Sequence, residues 1–367
     1  MSDITISRGV RSNLLALQNI ASGRETIQSR LASGKKVNSA LDNPTNFFTA
    51  SSLNSRGNDL GALLDSMSNG IKTLEAADNG LKSITKTVES LQSAIRQARQ
   101  DKSWQGESYA FTATSGTGDI VFTGGAVGTT AVTVAVSANA TVDDVVASIN
   151  GNSSLTSKVR ASNDNGQLRI ENLSTSDLTV TDTAVATTGT GGTIGGNTVR
   201  SDLITQFNDL RQQLDRTAED ASFNGINLLR GDALAITFNE TGSSSITIQS
   251  KGGEAINSTN LGIDVQSAAV ADSDTNLDAI LTDLSAAMSS LRSQSSAFGS
   301  NLSVVQNRQD FTKSMINTLR GGADNLTLAD QNEEGANLLA LNTRAQLATS
   351  ALSFASQGDQ QVLQFLR

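Results

Sequence analysis

The sequence predicts a mainly α protein, a long antiparallel helical bundle or coiled coil formed by its N- and C-terminal segments. A small β-hairpin and an inserted α+β outer domain interrupt the helices. Three observations carry this reading. From Leu277, alternating steps of four and three land on Leu281, Leu284, Met288, Leu291, Ser295, Phe298, Leu302, Val305, Gln309, Thr312, Ile316 and Leu319, ten of the thirteen positions being apolar. A seam kept over six heptads is a coiled-coil signal. In the N-terminal half, Leu60, Leu64, Met67, Ile71, Leu74, Leu81, Ile84, Val88, Leu91, Ile95 and Ala98 keep helical spacing, with only Asp78 spoiling the series. Between these blocks the pattern changes to short runs rich in Val, Thr and Gly.

Taken in order, Leu17, Ile20, Ile27 and Leu31 form a first helical stripe, interrupted by Arg24. The chain then breaks at Ser33-Gly34-Lys35-Lys36 and Asn43-Pro44, where proline disfavours helix in the preceding residue. This gives an inner helix and break over 1–44 and a long bundle helix over 45–104. At about 1.5 Å per residue that second helix spans roughly 80 Å. Residues 105–200 read as the inserted domain. Within it Ala131–Val136 predicts a strand, Thr141–Ile149 a short helix capped by Thr141, and the runs either side of Asn163-Asp164-Asn165-Gly166 a hairpin. Residues 201–275 hold a helix with Leu203, Ile204, Phe207, Leu210 and Leu214 on one face. A β-hairpin follows around Glu240-Thr241-Gly242, then a polar linker. The long C-terminal bundle helix is expected over 276–320, ended by Gly321-Gly322, with an inner helix over 321–367. In that tail Leu338, Leu341, Ala345, Ala348, Leu352, Ala355, Asp359, Val362 and Leu366 form a second seam, and Leu347 and Phe354 lie off it. A helix apolar on two faces needs partners on both.

Composition excludes much. The 367 residues include no His and no Cys, and one Pro, one Trp and one Tyr. Thiol nucleophiles, imidazole bases and most zinc or transition-metal sites are thereby excluded, and no catalytic, cofactor-binding or metal-binding set emerges. Gly189–Gly196 lacks the Lys-Ser/Thr of a phosphate loop and reads as a flexible linker. Asp143-Asp144 and Glu333-Glu334 read as helix-start charge and a solvated face. A net charge of −9 argues against nucleic acid, and no run of eighteen apolar residues is available to span a membrane. Met1–Arg8 shows neither an apolar core nor a small-residue cleavage site, so no secretory signal is expected there. Residues 1–40 carry six basic and two acidic side chains, and residues 321–367 two basic and five acidic. Opposite net charge favours approach of the two chain ends.

The segments Arg30-Leu31-Ala32-Ser33-Gly34-Lys35-Lys36-Val37-Asn38-Ser39-Ala40, Phe223-Asn224-Gly225-Ile226-Asn227-Leu228-Leu229, Ala336–Arg344 and Val362–Arg367 resemble bacterial flagellin, the filament protein of the flagellum. The match covers roughly 1–105 and 201–367. The central segment is similar to the small α+β insertion of some flagellins and hook-associated proteins. The resemblance implies a structural protein, not an enzyme, that polymerises with itself into an extracellular filament for motility. It implies passage unfolded through the flagellar type III apparatus with an export chaperone, and contact with hook-associated and filament-cap proteins. No nucleic acid, membrane insertion or cofactor is implied. The polymerisation seam would be Leu17, Ile20, Ile27 and Leu31 against Leu338, Leu341, Leu352, Val362 and Leu366. Bundle contacts would be Leu64, Ile71, Leu91, Ile95, Leu291 and Leu302. The stretch Leu91, Gln92, Ser93, Ala94, Ile95 and Arg96 lies where immunostimulatory flagellins carry an Arg-rich segment read by a host innate receptor. Ser93 and Ala94 alter part of it and Arg96 replaces a Glu, which predicts weak receptor activation. A hook–filament junction protein and, more remotely, a secreted coiled-coil adhesin are the alternatives.

Overall fold

The computed structural model describes residues 8–112, 115–182, 186–187 and 191–365. Helix α1 (Arg8–Ser33) ends at Gly34, and α2 (Pro44–Gln100) begins with its one proline at the first helical position. There the missing N–H costs nothing, and Asn43 Oδ1 accepts from the Asn46 N–H at 3.0 Å as the cap. The insert follows with β1 (Gln105–Thr112), β2 (Gly118–Thr123), β3 (Val132–Val136), α3 (Val142–Gly151), β4 (Val159–Asp164), β5 (Gln167–Asn172), β6 (Leu178–Asp182), β7 (Ala186–Thr187) and β8 (Thr193–Ile194). Helix α4 (Thr198–Asp220), the hairpin β9 (Leu234–Thr237) and β10 (Ser245–Ile248), then α5 (Asp274–Thr327) and α6 (Gln331–Phe365) complete the chain.

The insert's strands form two antiparallel four-stranded sheets, ordered β4-β5-β1-β7 and β3-β2-β6-β8. Alternate side chains of these strands, with Val145 and Ile149 of α3, bury one shared core that includes Ile120, Phe122, Leu168, Ile170 and Leu178. Helix α3 carries the expected cap as a reciprocal box, Thr141 accepting from the Asp144 N–H and the Asp144 carboxylate accepting from the Thr141 N–H. Strand β4 is a sheet edge, and α3 seals it. The Asn150 amide both donates to the Ala161 carbonyl and accepts from its N–H, each at 2.9 Å. Asn163 donates to Asp143 at 2.8 Å beside it. With both its groups capped, the Ala161 backbone offers no partner to a further strand.

The chain divides into two compact units. One comprises residues 1–67, 237–245 and 307–367, and the other 68–236 and 246–306. In the first, the α2 and α5 segments run antiparallel around Leu60, Ile316 and Leu319, with Leu53, Leu63, Leu64 and Met315 packed alongside. Helix α5 does not stop at Gly321-Gly322 but continues to Thr327. A Cβ at Gly322 would stand 3.6 Å from Leu53 Cδ1, ordinary contact distance, so the glycine lies in a helix–helix contact rather than at a stop. The stop is made by tertiary pairing. The Lys36 N–H donates to the Thr327 carbonyl at 2.7 Å and the Ala329 N–H to Gly34 at 3.0 Å. The breaks after α1 and after α5 thus satisfy each other's orphaned helix-end groups.

In the second unit the predicted stripes are the core. Ile71, Leu74, Leu81, Ile84, Val88, Leu91 and Ile95 of α2 are buried, as are Leu277, Leu284, Met288, Leu291 and Phe298 of α5. Ala77 fills the turn that Asp78 spoils, and Asp78 turns aside to Lys82 at 2.6 Å and Ser295 at 3.4 Å. Two expectations of loose chain fail here. The glycine-dense segment before α4 is packed where it is described. A Cβ at Gly191 would fall 2.4 Å from the Val180 carbonyl oxygen, and one at Gly196 would fall 2.3 Å from Thr175. Residues 251–275 likewise bury Ile256, Ser258, Ile263 and Ala271 rather than acting as a free linker.

Candidate assembly interface

Helices α1 and α6 lie antiparallel. Arg30 meets Glu334 at 3.0 Å, and a Cβ at Gly23 would stand 3.4 Å from Leu341 Cδ1. Between these helices the side chains follow heptad spacing: Leu17, Ile20, Ile27 and Leu31 are half-buried on α1, and Leu338, Leu341, Ala345, Ala348, Leu352 and Ala355 on α6. The structure therefore brings both seams to one intramolecular contact. Val362 lies on α6, but its side chain falls outside the described residues, as does Leu366 altogether.

No residue of α1 is fully buried. Along the opposite faces Leu15, Leu339, Leu347 and Phe354 keep 60%, 71%, 65% and 73% of their surface exposed. Pairing uses one face of each helix and leaves apolar side chains on the other. Large apolar side chains exposed along an unpaired helix face form the candidate interaction surface. At the start of α6 the Asp330 carboxylate accepts from the Asn332 and Glu333 N–H groups, fixing the helix beside the break.

The bundle residues named from sequence divide by burial. Ile71, Leu91, Ile95 and Leu291 are buried and serve the chain's own core, while Leu64 and Leu302 are half-buried. In the segment around Leu91, Gln92 is half-buried, and Ser93 and Arg96 are exposed on α2.

Sequence reasoning missed the residue that joins the insert to the bundle. Arg200, in the first turn of α4, has a side chain with 0% exposure. Its guanidinium donates to the Asp101 carbonyl at 3.0 Å, the Ala271 carbonyl at 2.5 Å and the Asp274 carboxylate at 2.9 Å, with a longer bond to Arg99. Trp104 lies against its face, 4.5 Å from ring centroid to Cζ. The planar fork suits this site because its donors are fixed in direction and its face stacks. Burial works against the Asp274 charge, but donation from Lys102 and Arg200 outweighs it and holds the carboxyl below the usual range. Asp101 is likewise lowered, burial being overcome by bonds from Asn197 and Ser103. Asp272 then accepts from Ser174 and Thr175 of the insert at 2.7–3.0 Å.

The segment after α4 shows why its residues stand together. Asn224 and Gly225 both adopt positive φ, closing a turn in which Phe223 and Ile226 exchange backbone hydrogen bonds. The buried Asn227 amide donates to the Ala218 and Glu219 carbonyls that α4 leaves open, and its oxygen accepts from the Leu229 N–H. Leu228 and Leu229 are thereby driven into the core.

Among the described residues no group of three or more acidic side chains is placed to hold a metal ion, and no helix is long and apolar enough to cross a membrane. Comparison with known proteins gives three family matches. The bacterial flagellin N-terminal helical region matches residues 10–114, the bacterial flagellin C-terminal helical region 255–366, and the flagellin hook IN motif 119–174. Over 100% of both chains the sequence is 25% identical to Flagellin A of Rhizobium meliloti. It is 23% identical to Flagellin FljO of Caulobacter vibrioides over 96% of each chain. To Flagellin FljK of the same organism it is 31% identical over 45% of this chain and 59% of that one.

Proposed function

This chain belongs to the bacterial flagellin family, and from that premise we propose that the α1–α6 pair is the element through which copies polymerise into the flagellar filament. The carrying observation is the pair's two-sidedness: a seam closed within the chain and an apolar face left open on each helix. Helices that bury little in the free chain are marginal alone, because most helical stability comes from packing. Covering Leu339, Leu347 and Phe354 with neighbouring copies supplies about 1.5–3 kcal/mol for each side chain fully buried. Assembly and completion of these helices are therefore one event. Leu17, Ile20, Ile27, Leu31, Leu338, Leu341 and Leu352 hold the pair that presents the outer face. Export unfolded through the flagellar type III route, with a chaperone, fits a chain that has no cysteine and so no disulfide to break. Hook-associated and cap proteins are its partners at the filament ends. The role is structural rather than catalytic.

Salt-induced polymerisation, imaged by negative-stain electron microscopy, tests this. The full chain is expected to form tubular filaments, and a chain ending at Ala329 none. Filaments from the truncated chain would refute the assignment. A hook–filament junction role is the second reading, because the insert matches the flagellin hook IN motif. Copy number in sheared filaments separates the two, since a junction protein is present in few copies. With Ser93 and Arg96 presented on α2, weak activation of the host innate receptor is expected. Full-strength signalling from the purified monomer in a reporter assay would contradict that.

A further inference from the structure

We propose that Asn224-Gly225 is a site of spontaneous chemical modification, at which the folded chain converts asparagine to aspartate and isoaspartate, while the fold protects its other Asn-Gly pairs. The chain holds Asn-Gly at 69–70, 79–80, 150–151, 165–166 and 224–225. The reaction begins when the glycine amide nitrogen gives its proton to solvent base and attacks the asparagine Cγ. An N–Cγ bond forms, the Cγ–Nδ2 bond breaks, and the leaving nitrogen takes up a proton and departs as ammonia. Water then opens the ring. Cleavage of the new bond leaves aspartate, and cleavage of the original peptide bond leaves isoaspartate, whose main chain is one carbon longer. The fold must therefore leave the glycine N–H without an acceptor and the asparagine side chain free to swing over it.

Three pairs fail this requirement in helices. Gly70 and Gly80 lie within α2, where the helical ladder engages the N–H. Gly151 closes α3, and the Asn150 amide is held at both ends by Ala161. The remaining two are closely matched. Asn165 and Asn224 have φ of 52° and 50°, the glycines after them 87° and 81°, and all four residues are exposed in two-residue turns. One hydrogen bond separates them. Asn163 Oδ1 accepts from the Gly166 N–H at 2.9 Å. Among the described residues nothing accepts from the Gly225 N–H, nothing engages the Asn224 side chain, and Ser222 stands where Asn163 stands in the other turn. Conversion at Asn224 adds a negative charge just beyond α4, which already ends on Glu219 and Asp220, the sign that a helix C-terminus disfavours. The extra carbon of isoaspartate also parts Phe223 from Ile226, whose exchanged bonds close the turn ahead of Asn227.

Incubation of the purified full chain at mildly alkaline pH, sampled over time, tests the site. Trypsin releases Asn224 in Thr217–Arg230 and Asn165 in Ala161–Arg169. Mass spectrometry reads acid formation in each peptide, and isoaspartyl methyltransferase labelling counts isoaspartate. Asn224 is expected to convert about two- to tenfold faster than Asn165, the fold-change of one retained hydrogen bond, and the three helical pairs more slowly still. Asn163→Ala, which frees the Gly166 N–H, should bring Asn165 up to the rate of Asn224. In concentrated urea the five pairs should converge. Equal rates at Asn165 and Asn224 in the folded chain, or a difference of the same size persisting in urea, would overturn the proposal. So would an Asn163→Ala chain of native helical spectrum in which Asn165 converts no faster.

Discussion

Arg200 gathers, at a single side chain, the end of α2, the start of α5 and the root of the insert. Replacing it with Met would strand the carbonyls of Asp101 and Ala271 and release the Asp274 carboxylate. Leaving a buried acceptor unsatisfied costs about 1–3 kcal/mol, so urea unfolding of Arg200→Met is expected to show a loss of at least that size, while Asp274, partly exposed and still paired with Lys102, adds little. The same cluster sets an acid limit. Asp274 and Asp101 have lowered folded pKa values. A carboxylate of this kind contributes stability above its unfolded pKa and loses it as pH falls through the folded value. The junction should therefore weaken below about pH 4. Asp274→Asn is expected to be less stable than wild type at pH 7 and to lose less between pH 5 and pH 3, as followed by circular dichroism. Nothing in the spacing around Arg200 announced this role; an arginine in a first helical turn ordinarily faces water, and its carbonyl partners belong to segments far away in sequence.

At the level of elements, the long helices were legible because their burial follows the 3.5-residue period closely, even at polar seam positions such as Ser295 and Thr312. The ends of helices were less legible. Gly321-Gly322 has the composition of a stop, but the real stop depends on backbone pairing between Lys36 and Thr327, which no local pattern encodes. Strand β1 was missed because only Tyr109 along it is buried, and β6 because its alternation of Leu178 and Val180 spans five residues. The intramolecular seam between α1 and α6 was legible in residue identity and register, since Leu338, Leu341, Ala345, Ala348, Leu352 and Ala355 of the heptad are half-buried. Two glycines on α2, Gly70 against Ile236 and Gly80, are structural sockets that the sequence did not disclose. A Cβ at Gly80 would fall 2.6 Å from Ala221 Cβ and 2.7 Å from Leu229 Cδ1. Gly80→Ala is expected to cost about 1–3 kcal/mol, measurable as a lowered urea midpoint with an unchanged slope. On α6, Leu352→Asp should leave the melting of the bundle within about 0.5 kcal/mol of wild type yet abolish filament formation in the salt assay. Filaments of normal yield from that variant would remove Leu352 from the seam.

For the whole molecule, the insert enters and leaves the bundle at nearly one point. Asn197 donates to Asp101 at 2.6 Å, so the chain leaving α2 and the chain entering α4 stand side by side. The insert also owns a separate hydrophobic core. Replacing residues 105–195 with a short Gly-Ser linker is thus expected to preserve the helical spectrum and polymerisation. The cost should be limited to the bonds that Asp272 makes to Ser174 and Thr175 and those that the Asn197 and Gly196 N–H groups donate to Ser174 and Asp177. Loss of helical signal in that variant would show that the bundle depends on the insert for folding. The position of this insertion, between the first long helix and α4, was legible as a change from heptad to strand-like pattern. The two-sheet arrangement was not, because pairing between distant strands leaves no local mark.

Asn150 carries a consequence beyond the fold of one insert. A filament repeats every exposed feature at close and regular intervals, so a weak sticky edge becomes a long multivalent strip. If β4 were open, two filaments lying alongside could zip together strand by strand, each small contact reinforced by its neighbours. By closing the Ala161 backbone with its own amide, Asn150 removes such a contact at its source, which is a matter of how many copies behave together rather than of stability in a single chain.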